Sequence, residues 1–168
     1  MPRSFDMATD YEGSVAQVHQ AFRDEQYWLA RLADSGADDA TLDSIELGPD
    51  GSVEVATTQV LRADRLPGVV TQFHRGDLAI RRVESWTGLL DGAASATVAG
   101  SIAGAPVSLT GDANLAPSES RARLAFRATV EVRIPLVGGK VENFIGTLLV
   151  DLLIAEQRFT TAWIAENG

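Results

Sequence analysis

The sequence predicts an α+β domain in which an antiparallel sheet packs on one long C-terminal helix. Two observations carry this. Lys140 to Ala165 runs without a proline, and at about 100° per residue Val141, Phe144, Ile145, Leu148, Leu149, Leu152, Ala155, Phe159, Ala162 and Trp163 share one stripe. Such a helix, roughly 40 Å long at 1.5 Å per residue, needs a large concave partner to cover that stripe. Upstream, apolar and polar residues alternate with the period of half-buried strands. Leu124, Phe126, Ala128, Val130, Val132 and Ile134 fall on one face of their segment, Arg127, Glu131 and Arg133 on the other.

In chain order, Phe5–Tyr11 reads as a first strand. Ser14 and Gln17 then form a capping box, the pairing that satisfies free amides at a helix start. Val15, Val18 and Phe22 follow at helical spacing, which turns His19 toward solvent. A second helix is expected over Glu25–Ala33, with Trp28, Leu29 and Leu32 apolar. Turn signals then separate strands at Leu42–Leu47, Ser52–Leu61, Leu78–Leu89, Ala93–Ile102, from Val107, and to Ile134. Gly48-Pro49-Asp50-Gly51 and Asp91-Gly92 are the clearest hairpin turns. The count is seven strands, six of them consecutive. One connection, 63–76, is too long for a hairpin loop and, with Leu66, Val69, Val70 and Phe73, too apolar for a solvated one. It is expected to form a lid or a short helix over an opening.

With 168 residues and no linker or low-complexity run, the chain is read as one domain, 1–168. A net charge of -9 repels phosphate backbones and anionic headgroups, so neither nucleic acid nor a membrane surface is an expected partner. The absence of cysteine excludes disulfides and thiolate chemistry. No apolar signal region follows Met1-Pro2-Arg3, and the stretch 147–155 is short and holds Asp151. These features predict a cytoplasmic protein without stable membrane insertion.

The element order, together with Arg3-Ser4-Phe5, Gln26-Tyr27-Trp28, Arg65-Leu66-Pro67-Gly68 and the run from Val132 to Glu142, resembles the helix-grip fold of the START, pollen-allergen and polyketide-cyclase superfamily. Within it the chain looks like an uncharacterised actinobacterial family. The resemblance implies a seven-stranded curved sheet, in the order β-α-α-β-β-β-β-β-β-α, wrapped around the terminal helix. It also implies a cavity between the two. The many small inward positions, Ala96, Gly111, Ala113 and Ala128 among them, agree with space there, as does an aromatic content of only 7%.

Candidate wall residues are Phe22, Tyr27 and Trp28 from the helix pair and Leu66, Val69, Val70, Phe73 and His74 from the long connection. Trp86 from the fourth strand and Leu148, Leu152 and Phe159 from the last helix complete the apolar set. Each apolar residue reads equally as ordinary core. His74 either titrates near neutrality or bonds a ligand carbonyl, or is a surface loop histidine beside Arg75 and Asp77. Glu156, at the edge of the stripe, must be paired, neutralised or wet; it either holds a polar ligand group or forms an ion pair at the sheet rim. Tyr11 brings a phenolic hydroxyl.

Nucleophile elbows, phosphate loops, dinucleotide fingerprints and metal-ligand spacings are absent, so neither a cofactor nor a metal is expected. The reading is therefore a binder or carrier of a small hydrophobic molecule such as a lipid, fatty acyl or polyketide-like compound, rather than an enzyme. A cyclase-, aromatase- or hydrolase-like enzyme using Tyr11, His74 or Glu156 in the same cavity stays open, as does a co-chaperone-like interaction module. Val150, Leu153 and Ile154 on the outer side of the last helix suggest a homodimer.

Overall fold

A computed structural model describes residues 2–66, 68–71, 74–119, 121–134 and 138–167, omitting the side chain of Val69. Seven antiparallel strands form one sheet: β1 (Arg3–Tyr11), β2 (Asp39–Leu47), β3 (Val53–Leu61), β4 (Leu78–Trp86), β5 (Ala94–Ile102), β6 (Val107–Ser118) and β7 (Arg121–Val132). Their order is β1-β7-β6-β5-β4-β3-β2, so the first strand closes against the last. Helices α1 (Val15–Phe22) and α2 (Glu25–Ala33) sit between β1 and β2. A 3-10 turn (Ala63–Arg65) and the short α3 (Gly68–Thr71) lie between β3 and β4, and α4 (Gly138–Asn167) ends the chain. Among the described residues no helix is long and apolar enough to cross a membrane.

Local chemistry accounts for these boundaries. Ser14 Oγ accepts from the Gln17 amide at 3.1 Å while Gln17 Oε1 accepts from the Ser14 amide at 2.9 Å, the reciprocal cap that the sequence shows. At the β4–β5 hairpin, Asp91 and Gly92 have φ of 53° and 77°, which are the left-handed pair a two-residue turn needs, and the Leu90–Ala93 bridge closes it. A bulge at Asp43 breaks the β2–β3 register between Leu42 and Ser44. The strands at residues 78 and 93 are shorter than the alternation suggests, ending at Trp86 and starting at Ala94. The carbonyl of Asp50 crowds Gly88 so closely that a side chain there would collide with the neighbouring hairpin.

Register places the inward residues of neighbouring strands side by side: Arg82 with Gly100 and Thr57, Glu84 with Val98 and Val55, and Gly111 with Val98 and Ala128. The core on this face is in two parts. One gathers Tyr11, Val18, Phe22, Tyr27, Trp28, Val53, Val55, Trp86, Leu115 and Leu124 beneath α1 and α2. The other gathers Val107, Val130, Val132 and Val141 at the opposite end.

Two expectations are corrected. His19 is 5% exposed, not solvated, because the end of β4 folds over α1 and its ring Nε2 lies 2.8 Å from the Thr87 carbonyl oxygen. The buried face of α4 is also rotated from the apolar stripe: Val141, Glu142, Gly146, Thr160 and Ile164 are buried, whereas Leu148 is 40% exposed and Ala155 and Ala162 face outward. Polar Glu142 can sit inside because it accepts the Val132 amide at 3.0 Å. Gly146 can because its missing side chain lets the helix approach the Phe5 ring.

Candidate functional site

Four charged side chains meet where α2, α4 and β4 converge. Asp24 caps α2 by accepting the Gln26 amide, which fixes the helix phase. Tyr27, Trp28, Arg31 and Leu32 then share its buried face, since residues four apart lie one turn above each other. From the sheet, Arg82 and Glu84 alternate onto the inner face with Trp86. From α4 comes Glu156.

Glu156 Oε2 lies 2.5 Å from Arg31 Nη2 and 2.8 Å from Arg82 Nη2, so one oxygen bridges two guanidiniums. Glu84 Oε2 lies 3.3 Å from Arg82 Nε and 3.9 Å from Arg31 Nη2. Its other oxygen accepts from Trp86 Nε1 at 3.4 Å. Stacking on the Trp28 ring, 4.5 Å from its centre, gives Arg31 a third kind of support. All four side chains are less than one-fifth exposed.

Burial pushes the Glu156 carboxyl up, but Arg31 and Arg82 together outweigh it and hold it below the usual carboxylate range. Burial works against charge on Arg82 too, and Glu156 and Glu84 overcome it. The Tyr27 and Tyr11 hydroxyls are pushed up by burial, so both stay protonated. The cluster thus sets two guanidiniums against two carboxylates, beside neutral phenols.

Beside it lies a space of about 30 Å³, walled by Trp28, Leu152, Ala155 and Phe159 and floored by Arg31, Arg82 and Glu156. It holds a water or one oxygen of a larger molecule, not a hydrocarbon body. A larger hollow of about 380 Å³ is on the opposite face of the sheet, lined by outward side chains such as Thr97, Thr110, Asp112 and Arg127. Most of those residues alternate away from α4, so that hollow lies on the outer face of the twisted sheet, with Val83 and Ala99 also in its lining.

The sequence candidates divide among these places. Phe22, Tyr27 and Trp86 are packed in the first core cluster, with Phe22 and Trp86 ring centres 5.0 Å apart. Trp28, Leu152, Glu156 and Phe159 line the space at the charged cluster. Val70 is 4% exposed on α3, which packs against α4, and Leu66 is half-buried. His74 turns back on its own loop, its Nε2 2.9 Å from the Asp77 carbonyl oxygen. Phe73 and the side chain of Val69 lie outside the described residues. Tyr11 is buried at 3%, within the aromatic core.

Sequence reasoning assigned Glu156 an unnamed partner and passed over Arg31, Arg82 and Glu84. The signal was present, since Arg82 and Glu84 share parity with Ile80 and Trp86, and Arg31 follows Tyr27 by one helical turn.

The family described as protein of unknown function (DUF2505) matches residues 6–164. The chain belongs to this family. Uncharacterized proteins of Mycobacterium tuberculosis and Mycobacterium bovis are 53% identical over 173 aligned residues, covering 99% of each chain. Among solved structures, the protein TTHA0849 from Thermus thermophilus superposes with a TM-score of 0.63 at 12% identity, over 99% of this chain and 100% of that one. The Zhui aromatase/cyclase from a Streptomyces species gives 0.60 at 8% identity, over 99% and 95%. At these identities the likeness establishes the fold alone: this member of the DUF2505 family shares the helix-grip architecture of these neighbours.

Proposed function

We propose that the protein binds a small hydrophobic molecule between the inner face of the sheet and α4, with the polar end of that molecule at the Arg31–Glu156–Arg82 cluster. The observation that carries this is the division of the core. The two apolar clusters share one sheet face without joining. Between them the inward positions include Gly100, Gly111 and Ala128, and inward Ile80, Leu109 and Phe126 remain half-buried. The Phe126 ring lies across Gly111, 2.8 Å from where a Cβ would stand. An inward aromatic ring that is packed on the first core cluster and still only partly buried offers apolar surface for a guest to cover.

Apolar contact would supply the affinity, at roughly 0.8 kcal/mol per buried methylene, and the charged cluster the orientation. The described parts of the β3–β4 connection, of which α3 packs on α4, would cover this region, and the ion pair of Arg65 with Asp38 at 2.8 Å holds its start. The fold neighbour named as an aromatase/cyclase supports a small-molecule role for this architecture.

Native mass spectrometry of protein purified from its own host is expected to show an apolar molecule co-purifying, and the refolded protein is expected to take up a hydrophobic fluorophore. Gly100→Leu projects a side chain into the space at an ordinary 3.4 Å from Leu109, so it should abolish uptake while leaving the fold intact. A bare chain mass together with no fluorophore uptake would defeat the reading.

A further inference from the structure

The charged cluster contains more hydrogen-bond donors than it contains unmatched positive charge. Arg31 and Arg82 are paired with Glu156 and Glu84, and Asp34 adds a third carboxylate at the rim of the same space. Each guanidinium offers several N–H groups and no acceptor. Those of Arg31 reach Tyr27 and Glu156, with Glu84 only at ion-pair distance, 3.9 Å, and Arg82 Nη2 donates to Glu156. Arg82 Nε, buried and 3.3 Å from Glu84 Oε2 as an ion pair, has no hydrogen-bond partner among the described residues, on a side chain that floors the space.

We infer that this end of the site selects a neutral oxygen function, a hydroxyl or ketone, and discriminates against a carboxylate or phosphate. The inference rests on the proposed binding of an apolar molecule and names its chemical class: a neutral amphiphile with one hydrogen-bonding oxygen. Such an oxygen accepts from the arginine N–H groups without adding charge, and it fits a space of about 30 Å³. A phosphate does not fit. A carboxylate fits but arrives beside Glu156 and Glu84, with no cation left to neutralise it, in surroundings where like charges repel far more strongly than in water.

The geometry also specifies how to invert the preference. Glu156→Gln removes one anion, keeps the side-chain shape and an acceptor oxygen, and leaves one guanidinium charge free for a ligand carboxylate. Glu84→Gln does the same from the sheet side, and serves if the first variant folds poorly.

The experiment is displacement of a hydrophobic fluorophore from the full chain by dodecanol, 2-dodecanone and dodecanoate at neutral pH, with a thermal melt for each variant. In the unsubstituted protein the alcohol and the ketone should compete at least about tenfold better than the acid. In Glu156→Gln, or in Glu84→Gln, dodecanoate should gain about tenfold relative to the alcohol. Equal or better competition by dodecanoate in the unsubstituted protein overturns the inference. So does an unchanged acid-to-alcohol ratio in folded forms of both variants, or competition by none of the three probes despite fluorophore uptake; in each of these the binding reading survives. If the fluorophore itself is not taken up, the binding reading falls and the inference with it.

Discussion

Tyr27 Oη and Thr160 Oγ1, separated by 133 positions in the chain, lie 2.6 Å apart and join α2 to α4 inside the protein. Donor and acceptor roles along this contact follow from chemistry. Arg31 Nη1, 3.2 Å from Tyr27 Oη, can only donate, and the Thr160 hydroxyl donates to the Glu156 carbonyl oxygen at 2.7 Å. Tyr27 therefore accepts from Arg31 and donates to Thr160. The relay holds the two helices in the relative position that lets Glu156 bridge both arginines.

Removing either hydroxyl should loosen that frame. Tyr27→Phe leaves an arginine N–H without its acceptor, and Thr160→Val leaves the buried tyrosine proton without one. Each should cost about 1–3 kcal/mol, the penalty of an unsatisfied buried polar group. The double variant should cost less than the sum, because both substitutions break one bond. Chemical denaturation of the four proteins measures the coupling, and strict additivity would mean that the contact contributes nothing.

Glu156 makes the fold acid-sensitive. Its carboxyl is held below the ordinary 4.5 by Arg31 and Arg82 despite burial, so the folded state binds its proton less readily than the unfolded chain. The stability this supplies is complete above about pH 4.5 and is lost as pH falls through the lower, folded value. Glu156→Gln should flatten the acid limb of a stability–pH curve. Glu156→Ala, which leaves two buried guanidiniums undercompensated, should cost about 3–5 kcal/mol at neutral pH. An acid limb identical in Glu156→Gln and the unsubstituted protein would assign the sensitivity to other carboxylates.

The alkaline side has the opposite sign. Tyr27 and Tyr11 are both raised above the ordinary 10.0, burial being the main cause. In the unfolded chain they ionise near that value while in the folded protein they remain protonated. Their contribution is intact below about pH 10 and declines as pH rises beyond it toward the folded values. Alkaline unfolding should therefore coincide with the tyrosinate absorbance change. Tyrosinate forming at its ordinary pH while the fold persists would contradict the burial assigned to both rings.

How much of this could be read in advance depends on how far each residue's environment is local. Strands announce themselves by alternation that the wet and dry faces of a sheet impose, so seven strands and their order along the chain follow from the pattern, and the Ser14–Gln17 cap from four adjacent positions. The facing side of α4 does not follow. Glu142, Gly146 and Thr160 are inside because of partners far along the chain, the Val132 amide, the Phe5 ring and the Tyr27 hydroxyl. A hydrophobic stripe cannot register a buried polar residue whose bond partner is on another element. The charged cluster was hidden for the same reason: Arg82 alternates inward like any apolar strand residue, and the arrival of Glu156 from α4, beside Glu84 of its own strand, makes that position tenable.

Asp38 anchors the start of the connection between β3 and β4. Its carboxylate accepts the Arg62 amide at 2.7 Å and Arg65 Nη1 at 2.8 Å, while Asp77 accepts the Ala63 amide at 3.0 Å from the other end of the loop. Asp38→Ala should raise amide exchange around residues 62–66 and 74–77 by about tenfold or more, with little change in global stability, because the loosened unit opens locally. Fluorophore entry should speed up in parallel. Faster exchange with unchanged entry would place the way in elsewhere.

Gly146 tests how tightly α4 is seated on β1. In an isolated helix, glycine to alanine gains about 1 kcal/mol. Here a Cβ would fall within the Phe5 ring, which packs from β1 against the face of α4. The ring must move for the alanine to fit, and because Phe5 also packs on the Val130 and Val141 cluster, the move opens a gap there. Gly146→Ala should therefore destabilise, by about 1–3 kcal/mol as overpacking does. Phe5→Leu, itself destabilising through lost apolar contact, should make room so that Gly146→Ala becomes neutral or favourable in that background. Thermal melts of the four proteins decide it. If alanine stabilises the unsubstituted background as it would a free helix, α4 is held more loosely over β1 than this packing requires.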